Sequence, residues 1–122
     1  MIKSLLHASL IISELEQSRH FYEEVLGMER DSSRPDLGFP GWWFKVGNQQ
    51  IHLLQLPNPD PVEGRPQHGG RDRHVAMAVD DIEKLEQNLR QAKVDFTRSR
   101  SGRAALFCRD PDGNALEFIE VS

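Results

Sequence analysis

The sequence runs through one pattern twice. Leu6-His7-Ala8-Ser9-Leu10 near the start is matched by Arg73-His74-Val75-Ala76-Met77 past the middle. In each place a histidine opens an apolar run that feeds a helical stretch. Each half then reaches a Gly-Asn turn, Gly47-Asn48 or Gly113-Asn114, ahead of a last apolar strand. A repeated supersecondary unit constrains the fold more than any single motif, because equivalent strands then occupy equivalent places in two like sheets.

The elements follow from periodicity and turn chemistry. Leu5 to Ile12 reads as a buried strand, and Ser13 as the N-cap of a helix with Glu16 as its capping-box partner. That helix reaches about Leu26, with Leu15, Ser18, Phe21, Tyr22, Val25 and Leu26 on one face and Gly27 ending it. Trp42 to Val46 and Gln50 to Leu56 are strands joined by the Gly47-Asn48 turn. Residues 57–71 hold four of the seven prolines and three of the nine glycines, the composition of a linker or an ordered lid. The second half repeats the order. A strand at Arg73 to Val79 precedes a helix capped by Asp80 or Asp81, with Ile82, Leu85 and Leu89 on its apolar face. Strands follow at Val94 to Ser99, Ala104 to Cys108 and Ala115 to Val121, separated by the Ser101-Gly102 and Asp110-to-Asn114 turns. The expected fold is α+β, a single domain over 1–122. It has two paired βαβββ modules, 1–56 and 73–122, joined by a linker at 57–72.

Charge and cysteine content narrow the function classes. A chain of 122 residues with net charge -4 lacks the basic footprint of a nucleic-acid or membrane-surface binder. The first residues carry no long apolar run, so neither a leader nor a membrane span is expected, and the cytoplasm is the expected compartment. Cys108 is the one cysteine, so no intrachain disulfide forms. Its apolar strand context suggests a buried, inert thiol.

Four residues then stand out. His7 and His74 hold matching positions on the first strands of the two halves, and His52 and Glu117 lie on the matching last strands. A carboxylate among apolar neighbours, as in Ala115-Leu116-Glu117-Phe118-Ile119, is costly to bury unless paired or bound to a metal. Outward-facing strand positions would explain each residue singly. Their symmetric placement favours a shared centre for one divalent ion, with Fe, Zn, Ni, Mn or Co all compatible with imidazole and carboxylate donors.

These segments resemble the vicinal-oxygen-chelate superfamily, which includes glyoxalase I, bleomycin- and fosfomycin-resistance proteins, methylmalonyl-CoA epimerase and extradiol dioxygenases. The resemblance is carried by His7-Ala8-Ser9-Leu10, the run Ser18 to Met28, Arg73-His74-Val75-Ala76-Met77, and Asp110-Pro111-Asp112-Gly113-Asn114-Ala115-Leu116-Glu117. It implies curled sheets around a metal cup, with His7, His74 and Glu117 as ligands. His52 falls where glyoxalase I has a glutamate that is both ligand and proton-transfer base. The positions that family uses for glutathione are Ile11 and Leu56 here, not arginine and asparagine. A further histidine on the strand of His52 is similar to extradiol dioxygenases, although those usually carry two such domains and a tyrosine near the end.

The expected function is therefore a divalent-metal-dependent enzyme chelating a small oxygen-bearing substrate, leaning to dioxygenase-like chemistry. A lactoylglutathione lyase or isomerase of the glyoxalase I type is the first alternative, and a metal-free resistance protein that sequesters its ligand is the second. His52 and Glu117 are the candidate catalytic groups, with His52 as fourth ligand or acid/base. Arg100 and Arg103 flank a turn where they would pair with a substrate carboxylate or phosphate, and Trp43 would wall the site. His20 and His68 read as surface residues, and Gly69-Gly70 as a hinge for a lid. A homodimer is expected, formed by pairing of modules within a chain or by exchange between chains.

Overall fold

In the computed structural model, which describes residues 1–99 and 101–122, each half of the sequence builds a four-stranded mixed sheet. The first lies in the unit Met1–Pro59 and uses β1 (His7–Ile12), β2 (Glu29–Arg30), β3 (Gly41–Val46) and β4 (Gln49–Gln55), in the order β1-β4-β3-β2. The second lies in the unit Asp60–Ser122 and uses β5 (His74–Val79), β6 (Phe96–Arg98), β7 (Ala105–Arg109) and β8 (Ala115–Glu120), in the order β5-β8-β7-β6. β1 is parallel to β4 and β5 to β8, while the remaining pairs are antiparallel. A parallel pair needs a crossover, and in both halves a helical segment lies within it. The class is α+β, as the repeat predicts.

The helices show where local rules decide. In the first, α1 (Leu15–Arg19) widens directly into a π-helical stretch, His20–Val25, which no sequence signal marked. Leu26 N–H donates five residues back to Phe21 at 3.0 Å, and Gly27 ends the helix at φ +75°. The N-cap is Glu14 rather than Ser13. Glu14 is extended, and its carboxylate accepts from Gln17 N–H at 2.6 Å, three residues on, as a cap must. In the second, Asp81 caps α2 (Ile82–Gln91) by accepting from Lys84 N–H at 3.0 Å.

Strand alternation gives each sheet two unlike faces. One is apolar. In the first unit, Ile12, Tyr22, Phe44 and Leu53 are fully buried. In the second, Leu106, Leu116 and Leu89 are, and α2 lies against β8. The expectation of a buried first strand fails at its start. Only Ile12 of β1 is buried, and Leu5 and Leu6 are 77% and 72% exposed. β1 is an edge strand with a neighbour on one side only, so apolar composition did not translate into burial.

One glycine is required by close approach, and a second lies in tight contact. A Cβ on Gly41 would collide with the carbonyl oxygen of Leu53. Gly69 opens a 3-10 turn, Gly69–Arg71, laid on the second sheet. A Cβ there would lie 3.3 Å from Ala115 Cβ and 3.4 Å from Phe107 Cβ. Within the 57–72 segment, expected as a linker or an ordered lid, the stretch around Gly69 and Asp72 is packed and pinned, while most of the other residues are exposed. Asp72 accepts from Arg65 at 3.1 Å and from Arg109 at 2.8 Å.

Candidate functional site

The second face of each sheet carries the polar residues singled out from sequence. In the first unit the register aligns Ser9, His52 and Trp43 across β1, β4 and β3, with His7, Gln50 and Lys45 two positions away. All six share one face, because residues two apart on a strand point the same way. His52 lies between two rings: His7 at 3.9 Å between centroids and 14° between planes, and Trp43 at 4.2 Å and 8°. Trp43 thus covers one face of the His52 ring. Trp42 turns to the opposite face, donating its indole N–H to Leu15 C=O at 2.9 Å.

Parallel stacking limits what His7 and His52 can do together. A ring nitrogen offers its lone pair in the ring plane, so two stacked rings aim their lone pairs side by side instead of at one point. Coordination of a single ion by both would require one ring to turn. His52 titrates below its ordinary value, chiefly through burial, with His7 and Arg34 adding cationic repulsion and Asp31 opposing. That environment keeps the imidazole neutral and able to accept a proton near neutral pH.

The second unit has a different character. His74, Glu117, Phe107 and Thr97 share one face of β5, β8, β7 and β6. Glu117 is 5% exposed, between the buried Leu116 and Phe118. Its Oε1 lies 3.3 Å from His74 Nε2, and its Oε2 accepts from the Arg103 guanidinium at 3.2 Å. The opposite nitrogen of His74, Nδ1, lies 2.8 Å from the carbonyl oxygen of Asp72. A carbonyl only accepts, so Nδ1 carries a proton and Nε2 is the nitrogen turned toward Glu117. Nε2 and Glu117 Oε1 face each other at 3.3 Å, an ion pair when the ring is protonated and two donor atoms for a metal when it is not. Two donors each about 2.0–2.2 Å from a shared ion stand about 3–3.4 Å apart at tetrahedral or right-angle geometry. The pair fits a divalent ion, with its imidazole oriented by the carbonyl that metal-binding histidines commonly use.

The expected residues therefore gather as two groups. His7, His52 and Trp43 meet in the first unit, and His74, Glu117 and Arg103 in the second; Arg100 lies outside the described residues. Within either unit, among the described residues, no three His, Cys, Asp or Glu side chains cluster as a complete metal site. Sequence reasoning missed three contributors. Gln50 and Asp72 each stand two residues before a site histidine and contact it, so a polar residue at that spacing was the available signal. His68, read as surface, is half-buried. It contacts Thr97 Oγ1 through Nδ1 at 2.7 Å and the edge of Phe107 at 4.7 Å. Cys108 is buried, and burial pushes its thiol up to about 12, so the inert reading stands.

Fold and site together define a class. Residues 4–118 match the Glyoxalase/Bleomycin resistance protein/Dioxygenase superfamily model, and the chain belongs to that superfamily. Among its relatives, the lactoylglutathione lyase of Haemophilus influenzae is 33% identical over 95% of this chain and 91% of its own length. A solved glyoxalase family protein from Bacillus anthracis is 28% identical with a TM-score of 0.82, covering 100% of this chain and 98% of that one. The fosfomycin resistance protein FosX of Listeria monocytogenes shares the fold, with a TM-score of 0.76 at 18% identity over 98% of this chain and 91% of that one. No helix among the described residues is long and apolar enough to cross a membrane.

Proposed function

We propose that the protein is a divalent-metal-dependent enzyme that moves a proton on a small oxygen-bearing substrate, in the manner of a glyoxalase-type lyase or isomerase. The observation that carries this reading is the His74 Nε2–Glu117 Oε1 pair at 3.3 Å, with its carboxylate buried. His74 and Glu117 are the proposed core of the ligand set. The bound ion would act as a Lewis acid, stabilising negative charge that develops on a substrate oxygen. The chain's own groups do the rest. Asp72 C=O orients His74, and Arg103 balances Glu117. His52, kept neutral by burial, takes a proton from the substrate carbon beside the carbonyl and returns it to the neighbouring carbon. Trp43 provides an apolar wall, and Arg103, with Arg100, is the proposed contact for an anionic substrate group.

Relatives that are lactoylglutathione lyases support this order of preference. Ile11 and Leu56, where the resemblance implies glutathione contacts, argue for a substrate other than a glutathione adduct. A dioxygenase is the second reading, favoured by His52, a third histidine suited to proton handling during oxygen chemistry. A homodimer in the cytoplasm is proposed with either.

Two assays separate the readings. With Ni(II) or Zn(II), the protein is offered the hemithioacetal of methylglyoxal and glutathione, then 2-oxoaldehyde adducts of other thiols. With Fe(II), it is offered catechols while oxygen uptake is followed. Isomerisation without oxygen uptake supports the first reading, and oxygen uptake alone supports the second. If the purified protein binds no metal yet retains a ligand, the sequestering alternative replaces both.

A further inference from the structure

The polar residues beside His52 form a directed chain. Asp31 sits just past β2, where its N–H donates to Trp43 C=O at 2.8 Å. Its Oδ1 accepts from Ser33 N–H at 2.9 Å and Ser33 Oγ at 2.6 Å. Its Oδ2 accepts from the Gln50 amide nitrogen at 2.7 Å. Gln50 Oε1 then lies 2.9 Å from His52 Nε2.

The direction of this chain is forced by chemistry. An ionised carboxylate only accepts, so the NH2 end of Gln50 must face Asp31. The amide oxygen is thereby turned to His52, and an amide oxygen also only accepts. The nitrogen facing it must carry the proton. His74 is held the opposite way: Asp72 C=O takes the proton at Nδ1 and leaves Nε2 turned toward Glu117. The two halves of the repeat thus present different ring nitrogens.

We propose that Gln50, anchored by Asp31, is a positioning residue that locks His52 in the Nε2–H tautomer, so that Nδ1 is the nitrogen it offers to substrate or ion. What His52 does with that nitrogen rests on the proposed function; the tautomer itself does not. The consequence for the chemistry is geometric. Nδ1 lies next to the backbone attachment of the ring and Nε2 at its far end, so the lock shortens the reach of His52 and fixes the side on which a proton is taken.

The test is a long-range proton–nitrogen NMR correlation on the full chain labelled with 15N-histidine, recorded above neutral pH with and without Zn(II). His52 signals are assigned by their loss in His52→Gln. The expected spectrum shows His52 Nε2 as the protonated, pyrrole-like nitrogen and Nδ1 as the pyridine-like one in both samples. Gln50→Leu removes the acceptor and Asp31→Asn removes the anchor. Each is expected to collapse the pattern to an average of the two tautomers, while the His74 pattern stays at Nδ1–H. A His52 found as Nδ1–H in the wild type, or a His52 pattern unchanged in both variants, overturns the lock. Because no readout depends on turnover, the lock can fail while the proposed function survives, and the reverse.

Discussion

The faces of the two sheets have the same strand plan and opposite chemistry. The first surrounds a neutral imidazole with two aromatic rings and an amide. The second buries a carboxylate against an imidazole and a guanidinium. Duplication explains why matching strands carry functional residues, and divergence explains why the halves need not share a task. The charged half suits ion binding, and the stacked half suits proton transfer.

That division can be broken by unequal damage. The largest effect is expected for Glu117→Gln, which keeps the shape and removes the charge. Steady-state kinetics on whichever substrate is turned over should fall about a thousandfold, the scale of losing several kcal/mol of Lewis-acid stabilisation. His52→Gln should lower turnover about a hundredfold, typical of a lost acid/base group, while metal content is kept. Equal loss of metal in both variants would erase the distinction between the halves.

The next effects concern stability. Gly41→Ala drives a Cβ into the Leu53 carbonyl, and chemical denaturation should show a loss of about 3 kcal/mol, at the upper end of overpacking costs. Gly69→Ala meets only ordinary-to-tight contacts with Ala115 and Phe107 and should cost about 1 kcal/mol. A reversed order would mean that the second half, not the first, is the more tightly determined.

A pH series sharpens the account of residues 57–72. The Arg109 guanidinium beside Asp72 holds its carboxyl below the usual carboxylate range, with Arg73 N–H and Arg65 adding to it. The folded value lies below the unfolded value of about 3.9, so the stabilisation is complete above that pH and drains away as pH falls through the folded value. Thermal melts from pH 7 down to pH 3 should show Asp72→Asn less stable than wild type at neutral pH, with the gap closing in acid. The smallest effect is at Cys108. A thiol near 12 is ionised to about one part in ten thousand at pH 8, so native protein should resist a thiol reagent that labels unfolded chain at once.

How far the sequence could be read follows the range of the interactions. The βαβββ repeat and the Gly47-Asn48, Gly113 and Gly27 stops depend on neighbours within a few residues, and all were legible. The Asp81 cap was narrowed to two residues, while Glu14 was missed by one position. The exposure of β1, the packing of Gly69 on Ala115 and the contact of His68 with Thr97 and Phe107 arise from strand order and from segments far apart in the chain. Composition left 57–72 as either a linker or an ordered lid, because prolines and glycines are counted without their partners. The site histidines were visible, whereas the groups that orient them were not. Asp72 acts through its backbone carbonyl, which no residue identity announces, and Gln50 acts only because Asp31 turns it.

The central claim is that His74 and Glu117 are the heart of an ion site. Its most direct measurement is calorimetric titration of Zn(II) or Ni(II) into chelator-stripped protein, wild type beside His74→Gln, Glu117→Gln and His52→Gln. One ion per chain is expected, with affinity at least a hundredfold lower in the first two variants and within about tenfold of wild type in the third. Equal affinity in the wild type and in His74→Gln and Glu117→Gln, or no saturable binding by wild type, would contradict it.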